Sequence, residues 1–158
     1  MTMQDKNTKK LISILIPSYN EEKNIEPLYN ELEQVTSKHT SKYDFEYIFV
    51  DDGSKDKTID VLEEYAKKDK KIKLIELSRN FGKEIALTAG IHQVSGDALI
   101  IMDADLQHPP KLISTFIEKW EEGYEIVATK RLDIENRSIV KKVGSKLFYK
   151  MINAMSET

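Results

Sequence analysis

The amino-acid sequence predicts an α/β/α sandwich built around a mostly parallel β-sheet. Short runs rich in Ile and Val alternate along the chain with segments of helical periodicity. Most of these runs are apolar on both faces, as buried parallel strands are. The length of 158 residues suits one domain with a proper core. We therefore expect one domain over residues 11–158, preceded by a disordered polar tail over residues 1–10.

Five apolar runs are predicted to be strands, and the four segments between them are predicted to be helices. The strands are Leu11–Pro17, Phe45–Asp52, Ile72–Leu77, Ala98–Asp105 and Tyr124–Lys130. The helices are Asn24–Lys38, Lys57–Lys68, Lys83–Val94 and Pro110–Trp120. Asp56 is expected to cap the second helix. Pro110 stands in a first turn, where proline is tolerated.

The last predicted helix, Ser138–Met155, is amphipathic and rich in lysine. Its apolar stripe can pack on the core, which leaves the lysines solvated. Alternatively, its lysine-rich face can lie against anionic lipid headgroups. Both interpretations stay open.

Composition limits the kinds of site that the chain can hold. The absence of cysteine excludes disulfides and thiolate metal sites. His39, His92 and His108 do not stand at zinc-like spacing. A metal ion would therefore be bound by oxygen, which favours magnesium, manganese or calcium.

The charge and hydropathy of the chain bear on its partners and location. The formal net charge of −3 gives no argument for a nucleic-acid partner. No apolar stretch approaches the ~18 residues that a membrane span requires. The N-terminus lacks the pattern of a secretory signal peptide. We therefore expect a cytoplasmic location for this chain.

Charged and polar residues gather at the ends of four predicted strands. These segments are Pro17–Glu22, Asp51–Ser54, Asp103–Gln107 and Thr129–Arg131. In an open α/β sheet, ligands bind beyond the carboxyl ends of the strands. The sequence therefore predicts a site for a polar ligand, with a cation inside it, at this edge. Each segment also has a plainer interpretation as a turn, a strand exit or a helix cap.

Asp103 and Asp105 are the strongest indication of a site. Two like charges at the mouth of a buried strand cost free energy unless they are hydrated or share a cation. A divalent ion is commonly held by one or two carboxylates, while substrate phosphates and water complete its octahedron. The sequence has neither GxxxxGK[ST] nor GxGxxG, so a P-loop kinase and a dinucleotide-binding enzyme are poorly supported. Cations such as Lys83 or Arg131 would help to neutralise the phosphates.

Four motifs stand in an order that resembles a known family. They are IPSYNE from residue 16, VDDGS from residue 50, RNFGK from residue 79 and DADLQHPP from residue 103, and Arg131 follows them. This order resembles glycosyltransferase family 2, whose domain has the GT-A fold. Within the family it is similar to the polyprenyl-phosphate sugar transferases, such as dolichyl-phosphate mannose synthase and bacterial polyprenyl-phosphate glucosyltransferases. The resemblance covers about Leu11 to Arg131.

The resemblance implies roles for the matching residues. Ten would bind a nucleotide-sugar: Pro17, Tyr19, Glu21, Val50, Asp52, Lys83, Asp103, Ala104, Asp105 and Arg131. In the family, the first three line the base and ribose, and Val50 and Asp52 lie on the base side. Asp103, Ala104 and Asp105 form a DxD-type motif that meets the ribose and diphosphate through Mg²⁺ or Mn²⁺, with Gln107 beside the metal.

Asp103, Asp105 and Arg131 are the residues with implied catalytic roles. Arg131 would contact the donor diphosphate or the acceptor phosphate. Lys83 matches a basic position of the family. The implied reaction is an inverting, metal-dependent transfer of a hexose from a UDP- or GDP-sugar to polyprenyl phosphate. DLQHP is common among the bacterial glucosyl relatives and favours glucose. The full-length protein is then expected at the cytoplasmic face of a bacterial cell membrane, as part of cell-envelope synthesis.

One departure from the branch leaves a second hypothesis open. The acidic "D…GDFRL" motif and the membrane helices that follow the donor domain in this branch do not occur in the sequence. We therefore expect a donor-binding core that is truncated before its acceptor half. The alternative is a non-catalytic nucleotide-sugar-binding module that needs a missing segment. The base, the sugar and the oligomeric state stay open.

A phosphohydrolase of the haloacid-dehalogenase type is a further alternative, because its aspartyl nucleophile also stands in a DxD after a hydrophobic run. In that class the motif usually closes the first strand and continues into Thr or Val. Here it follows the fourth predicted strand and continues Leu106-Gln107. We therefore discount this class.

Overall fold

The computed structural model describes residues 9–129. The chain divides into two units, Met1–Glu125 and Ile126–Thr158, and only residues 126–129 of the second unit are described. Arg131 and the segment Ser138–Met155 therefore lie outside the described residues.

Within residues 9–129, the sheet has four parallel strands in the order β3-β2-β1-β4. The strands are β1 (Lys10–Ser18), β2 (Tyr43–Asp51), β3 (Ile72–Glu76) and β4 (Ala98–Ile101). The helices are α1 (Glu22–Thr36), α2 (Thr58–Lys68), α3 (Lys83–Ile91) and α4 (Leu112–Glu121), with a short 3₁₀ turn at Ser37–His39. The predicted parallel α/β architecture is confirmed.

Apolar side chains alternate between the two faces of the sheet, and each face is covered by helices. On one face Ile14 of β1 and Phe49 of β2 pack with α1, α2 and α4. On the other face Leu15 and Val50 pack with Ala86 of α3. Strands buried on both faces are apolar at most positions, which explains the nearly continuous runs in the sequence.

The strand order reverses at β1. The chain passes from β1 to β2 and β3 on one side, then crosses to place β4 on the other side of β1. Such a reversal opens a crevice beyond the carboxyl ends of the two diverging strands. The ends of β1 and β4 therefore mark the position where this fold binds a ligand.

The predicted fifth strand, Tyr124–Lys130, is wrong over its described part. Residues 124–129 belong to neither a strand nor a helix, and the side chain of Ile126 is 88% exposed. A β-strand forms only where a neighbouring strand pairs with it. An apolar run is compatible with a strand but does not show that such a neighbour exists. Lys130 lies outside the described residues.

The acidic motif lies after β4, although the predicted strand included it. The pairing of β4 with β1 ends at Ile101, and the turns and bends begin at Ala104, after the first aspartate of the motif. Helix α4 begins at Leu112, later than the predicted Pro110. The carbonyl groups of Pro109 and Pro110 accept the N–H groups of Leu112 and Ile113, so both prolines belong to the entry into the helix. Among residues 9–129, no helix has both the length and the apolar character needed to cross a membrane.

Glu46 is a buried carboxylate on β2, and its partners set its ionisation. Its Oε1 accepts the Ser13 hydroxyl at 2.5 Å and the Ser95 N–H at 2.9 Å. Its Oε2 lies 2.7 Å from Lys73 Nζ. Burial opposes ionisation, but the hydrogen bonds from Lys73, Ser13 and Ser95 outweigh it and hold the pKa of Glu46 below its ordinary value. The ionised form therefore stabilises the fold above the unfolded pKa of ~4.3, and this stability is lost as the pH falls through the folded value.

Glu46→Gln should therefore lower the free energy of unfolding at pH 7 and weaken its dependence on pH. We expect a loss of about 1–2 kcal/mol at pH 7, because Lys73 and two donors lose an ionised acceptor. Denaturant titrations between pH 2 and pH 7 measure both effects. Glu63→Gln is the control, since Glu63 forms an exposed pair with Lys67 on α2. If the free energy of unfolding of Glu46→Gln falls at acidic pH as steeply as that of the unsubstituted protein, the assigned role of Glu46 is contradicted.

Candidate functional site

A cleft of about 330 Å³ opens beyond the carboxyl ends of β1, β2 and β4. Its lining comes from four separate parts of the chain: Pro17, Ser18, Tyr19, Glu21, Asp52, Asn80, Gly82, Lys83, Ala86, Asp103, Ala104 and Asp105. It occupies the position at which the reversal of strand order predicts a ligand site.

The loop after β1 is tied to the loop after β2. Asn20 has φ 56°, in the left-handed region that Asn adopts more readily than most residues. Its N–H donates to Ser54 Oγ at 2.9 Å, and its Oδ1 accepts the Lys55 N–H at 2.8 Å. Asp51 accepts both the N–H and the hydroxyl of Ser54. The polar residues that the sequence places in turns therefore hold one wall of the cleft.

Asp52 joins β2 to the loop that precedes α3. Its side chain is buried, and the N–H groups of Phe81 and Gly82 donate to its two oxygens at 2.8 Å and 2.9 Å. Gly53 packs directly on the same loop, since a Cβ there would lie 2.4 Å from the carbonyl carbon of Arg79. The VDDGS and RNFGK motifs are therefore one structural unit.

Lys83 and Asp103 meet across the cleft. Lys83 is the first residue of α3, and its Nζ lies 2.5 Å from Asp103 Oδ1. The Lys83 side chain is 53% exposed and the Asp103 side chain 31%. The ammonium group of Lys83 thus forms a salt bridge with the first aspartate of the acidic motif.

The turn that carries the acidic motif has an unusual backbone. Leu106 has φ 58°, a left-handed conformation that is costly for a residue other than glycine. Its side chain is partly buried against the core, which secures this conformation. Asp105 Oδ1 accepts the Gln107 N–H at 3.0 Å. Ala104 is buried between two carboxylates that line the cleft.

The side chains present fit a divalent ion that prefers oxygen ligands. Asp103 and Asp105 both reach the cleft, and neither a thiol nor an imidazole lines it. Across residues 9–129, no group of three or more acidic or histidine side chains could hold a metal without help. The two carboxylates would therefore share Mg²⁺ or Mn²⁺ with phosphate and water oxygens.

Most residues predicted from the sequence lie together. The eight that line the cleft are Pro17, Tyr19, Glu21, Asp52, Lys83, Asp103, Ala104 and Asp105. Val50 is fully buried in the core under α3, and exposed Gln107 lies outside the lining. Arg131 lies outside the described residues. The roles assigned to these residues remain predictions.

Four lining residues were missed by the sequence analysis: Ser18, Asn80, Gly82 and Ala86. The RNFGK motif, directly before a predicted helix, was the available signal for Asn80 and Gly82. Ser18 stands within the motif IPSYNE, between two residues that were assigned to the site. Ala86 follows Lys83 by three residues and so lies on the same side of α3.

The chain has the GT-A fold, as its alignment with solved glycosyltransferases confirms. A mannosyltransferase from Pyrobaculum calidifontis, solved with GDP-Man and Mn²⁺, aligns with a TM-score of 0.59 at 23% identity, over 72% of this chain and 32% of its own. TarS from S. aureus, solved with UDP-GlcNAc, aligns with a TM-score of 0.54 at 29% identity, over 71% of this chain and 32% of its own.

The chain belongs to glycosyltransferase family 2, whose model, Glycosyl transferase family 2, matches residues 13–156. An uncharacterised glycosyltransferase of Synechocystis is 48% identical over 92% of this chain and 45% of its own length. A bactoprenol glucosyl transferase of Shigella phage SfV is 38% identical over 92% of this chain and 47% of its own. The chain therefore spans a little under half the length of these relatives.

Proposed function

We propose that the chain is the donor-binding core of a glycosyltransferase that moves a hexose from a UDP- or GDP-sugar to polyprenyl phosphate. One observation carries the proposal: two carboxylates and a lysine converge in one cleft at the reversal point of the sheet. This is the combination of charges that a diphosphate and a divalent ion require.

In the proposal, different lining residues bind different parts of the nucleotide-sugar donor. Pro17, Tyr19 and Glu21 would bind the base and ribose from the β1 loop. Asp103 and Asp105 would hold Mg²⁺ or Mn²⁺, with Gln107 next to the ion. The bound metal would supply Lewis-acid stabilisation of the charge that builds on the departing diphosphate. Lys83 and Arg131 would add positive charge beside the same phosphates.

The acceptor part of the proposal is supported by relatives. The proteins of Shigella phages SfV, SfII and SfX that match this chain are named bactoprenol glucosyl transferases. These names favour glucose as the sugar and a polyprenyl phosphate as the acceptor. An acceptor phosphate is already anionic, so it needs little help from a general base. Attack opposite the departing diphosphate would invert the anomeric centre. A full-length protein of this type would work at the cytoplasmic face of the membrane.

A second candidate function is nucleotide-sugar binding without transfer. It is favoured by the lining of the cleft, whose carboxylates and lysine supply groups for a diphosphate and a divalent ion, which is all that binding requires. The two functions share the donor cleft and differ only in turnover. Incubation with a nucleotide-sugar and polyprenyl phosphate distinguishes them, because only the enzyme releases free nucleoside diphosphate.

Calorimetric titration tests the donor site directly. UDP, GDP and their glucose conjugates are titrated into the chain with Mn²⁺, with Mg²⁺ and with chelator. We expect one base to bind, with an affinity at least tenfold higher with metal than with chelator, on the order of what a shared divalent ion contributes. Failure of every nucleotide to bind under all three conditions would overturn the proposed function.

A further inference from the structure

The carboxylate of Asp103 already has a cationic partner within the chain. Lys83 Nζ lies 2.5 Å from Asp103 Oδ1, and both side chains reach the solvent-accessible cleft. The inference drawn from this pair rests on the proposed function, because it concerns how the same cleft takes up metal and nucleotide.

We propose that Lys83 is an exchangeable counter-ion of Asp103. In the free protein its ammonium competes with a divalent ion for this carboxylate. When nucleotide and metal enter together, the ammonium leaves Asp103 and binds the donor phosphates. Lys83 would thereby make the binding of metal and the binding of nucleotide depend on each other.

The charges of the lining explain why this lysine matters. Lys83 is the sole cation among the described residues that line the cleft, against the carboxylates of Glu21, Asp52, Asp103 and Asp105. Three of these acids have other donors within the chain. Asn24 donates to Glu21, backbone N–H groups donate to Asp52, and the Gln107 N–H donates to Asp105. Asp103 is thus the carboxylate for which Lys83 is a direct partner.

The attachment of Lys83 allows the exchange. Its backbone is fixed, because Asp52 accepts the N–H groups of Phe81 and Gly82 immediately before it. Its side chain is 53% exposed, with a flexible four-carbon stem and three rotatable donors. The ammonium can therefore move within the cleft while the start of α3 stays in place.

This arrangement predicts that removing the charge of Lys83 changes the affinities for Mn²⁺ and for nucleotide in opposite directions. Lys83→Met frees Asp103, so Mn²⁺ should bind the nucleotide-free protein more tightly. The same substitution removes a cation from the phosphates, so UDP should bind more weakly at saturating Mn²⁺. Because coupling between two ligands is reciprocal, the enhancement of Mn²⁺ binding by UDP should shrink.

The test follows free Mn²⁺ by its electron paramagnetic resonance signal, with and without UDP, or with GDP if calorimetry selects it. For Lys83→Met we expect the affinity for Mn²⁺ without nucleotide to rise about tenfold, because the substitution removes one nearby positive charge at a half-exposed site. UDP affinity at saturating Mn²⁺ should fall by about the same factor. Lys67→Met is the matched control, since Lys67 pairs with Glu63 on the exposed face of α2; neither affinity should change.

The outcomes separate the inference from the proposed function. If the unsubstituted protein binds Mn²⁺ with nucleotide, but Lys83→Met leaves nucleotide-free Mn²⁺ affinity unchanged or lowers it, only the counter-ion exchange is overturned. A fall in both affinities would assign Lys83 a purely supporting role, which also overturns it. If no nucleotide and no Mn²⁺ bind to the unsubstituted protein, both proposals fail. Circular dichroism of each variant confirms that the fold is retained.

Discussion

Asp105→Asn should lower the affinity for nucleotide at saturating Mn²⁺ by about 100-fold, the upper range for loss of support at a metal site. The amide is neutral and a poorer ligand for a hard divalent ion. Its oxygen can still accept the Gln107 N–H, as Asp105 Oδ1 does at 3.0 Å, so the turn should persist. Calorimetry with Mn²⁺ and with chelator should then give similar, weak affinities for this variant.

The matched control is Asp44→Asn. Asp44 is exposed near the start of β2, at the opposite end of the sheet from the cleft. The substitution removes the same charge from the chain without touching the lining, so nucleotide affinity should not change. If nucleotide still binds Asp105→Asn as much more tightly with Mn²⁺ than with chelator as it binds the unsubstituted protein, Asp105 does not hold the metal.

Gly53→Ala should destabilise the fold by about 3 kcal/mol, within the range for strain combined with steric overlap. Gly53 has φ +67°, where any side chain is strained. The added Cβ would lie 2.4 Å and 2.6 Å from the carbonyl carbon and Cα of Arg79, and 2.7 Å from the Asn80 nitrogen. These are backbone atoms, so the loop must shift as a whole. Such a shift would separate Phe81 and Gly82 from Asp52 and weaken nucleotide binding.

Gly123→Ala isolates the contribution of the backbone angle. Gly123 has φ +96°, but a Cβ there would meet no atom within 4 Å. It should cost only about 1 kcal/mol of unfolding free energy and should leave nucleotide affinity unchanged. Denaturant unfolding and calorimetry measure both variants. Equal destabilisation by the two substitutions would show that the close approach of Gly53 to Arg79 is unimportant.

The sequence predicted the buried part of the sheet well, because both faces of these strands are covered. Val50 packs under α3 while its neighbour Phe49 packs under the helices of the other face. Such positions are mostly apolar, so the run itself reveals the strand. The prediction failed over residues 124–129, where the apolar pattern is similar but pairing depends on a neighbouring strand that local sequence does not specify.

The sequence also predicted eight of the twelve residues that line the cleft, because parallel strands present their carboxyl ends on one edge. It could not predict which of them touch. Lys83 pairs with Asp103, 20 positions away, although other carboxylates of the same cleft carry the same charge. Asp52 accepts N–H groups 29 and 30 positions away, which depends on the path of a loop and not on the type of its residues.

The contact between Gly53 and the loop before α3 has an evolutionary consequence. The three atoms nearest to a Cβ added at Gly53 are backbone atoms of Arg79 and Asn80. The path of this loop is therefore fixed independently of the side chains that it carries, and Asn80 is one that lines the cleft. A sequence can change the chemistry of the cleft at residue 80 without rebuilding the loop. Selection for a different ligand can thus act on a single position of the cleft while the backbone of the loop is preserved.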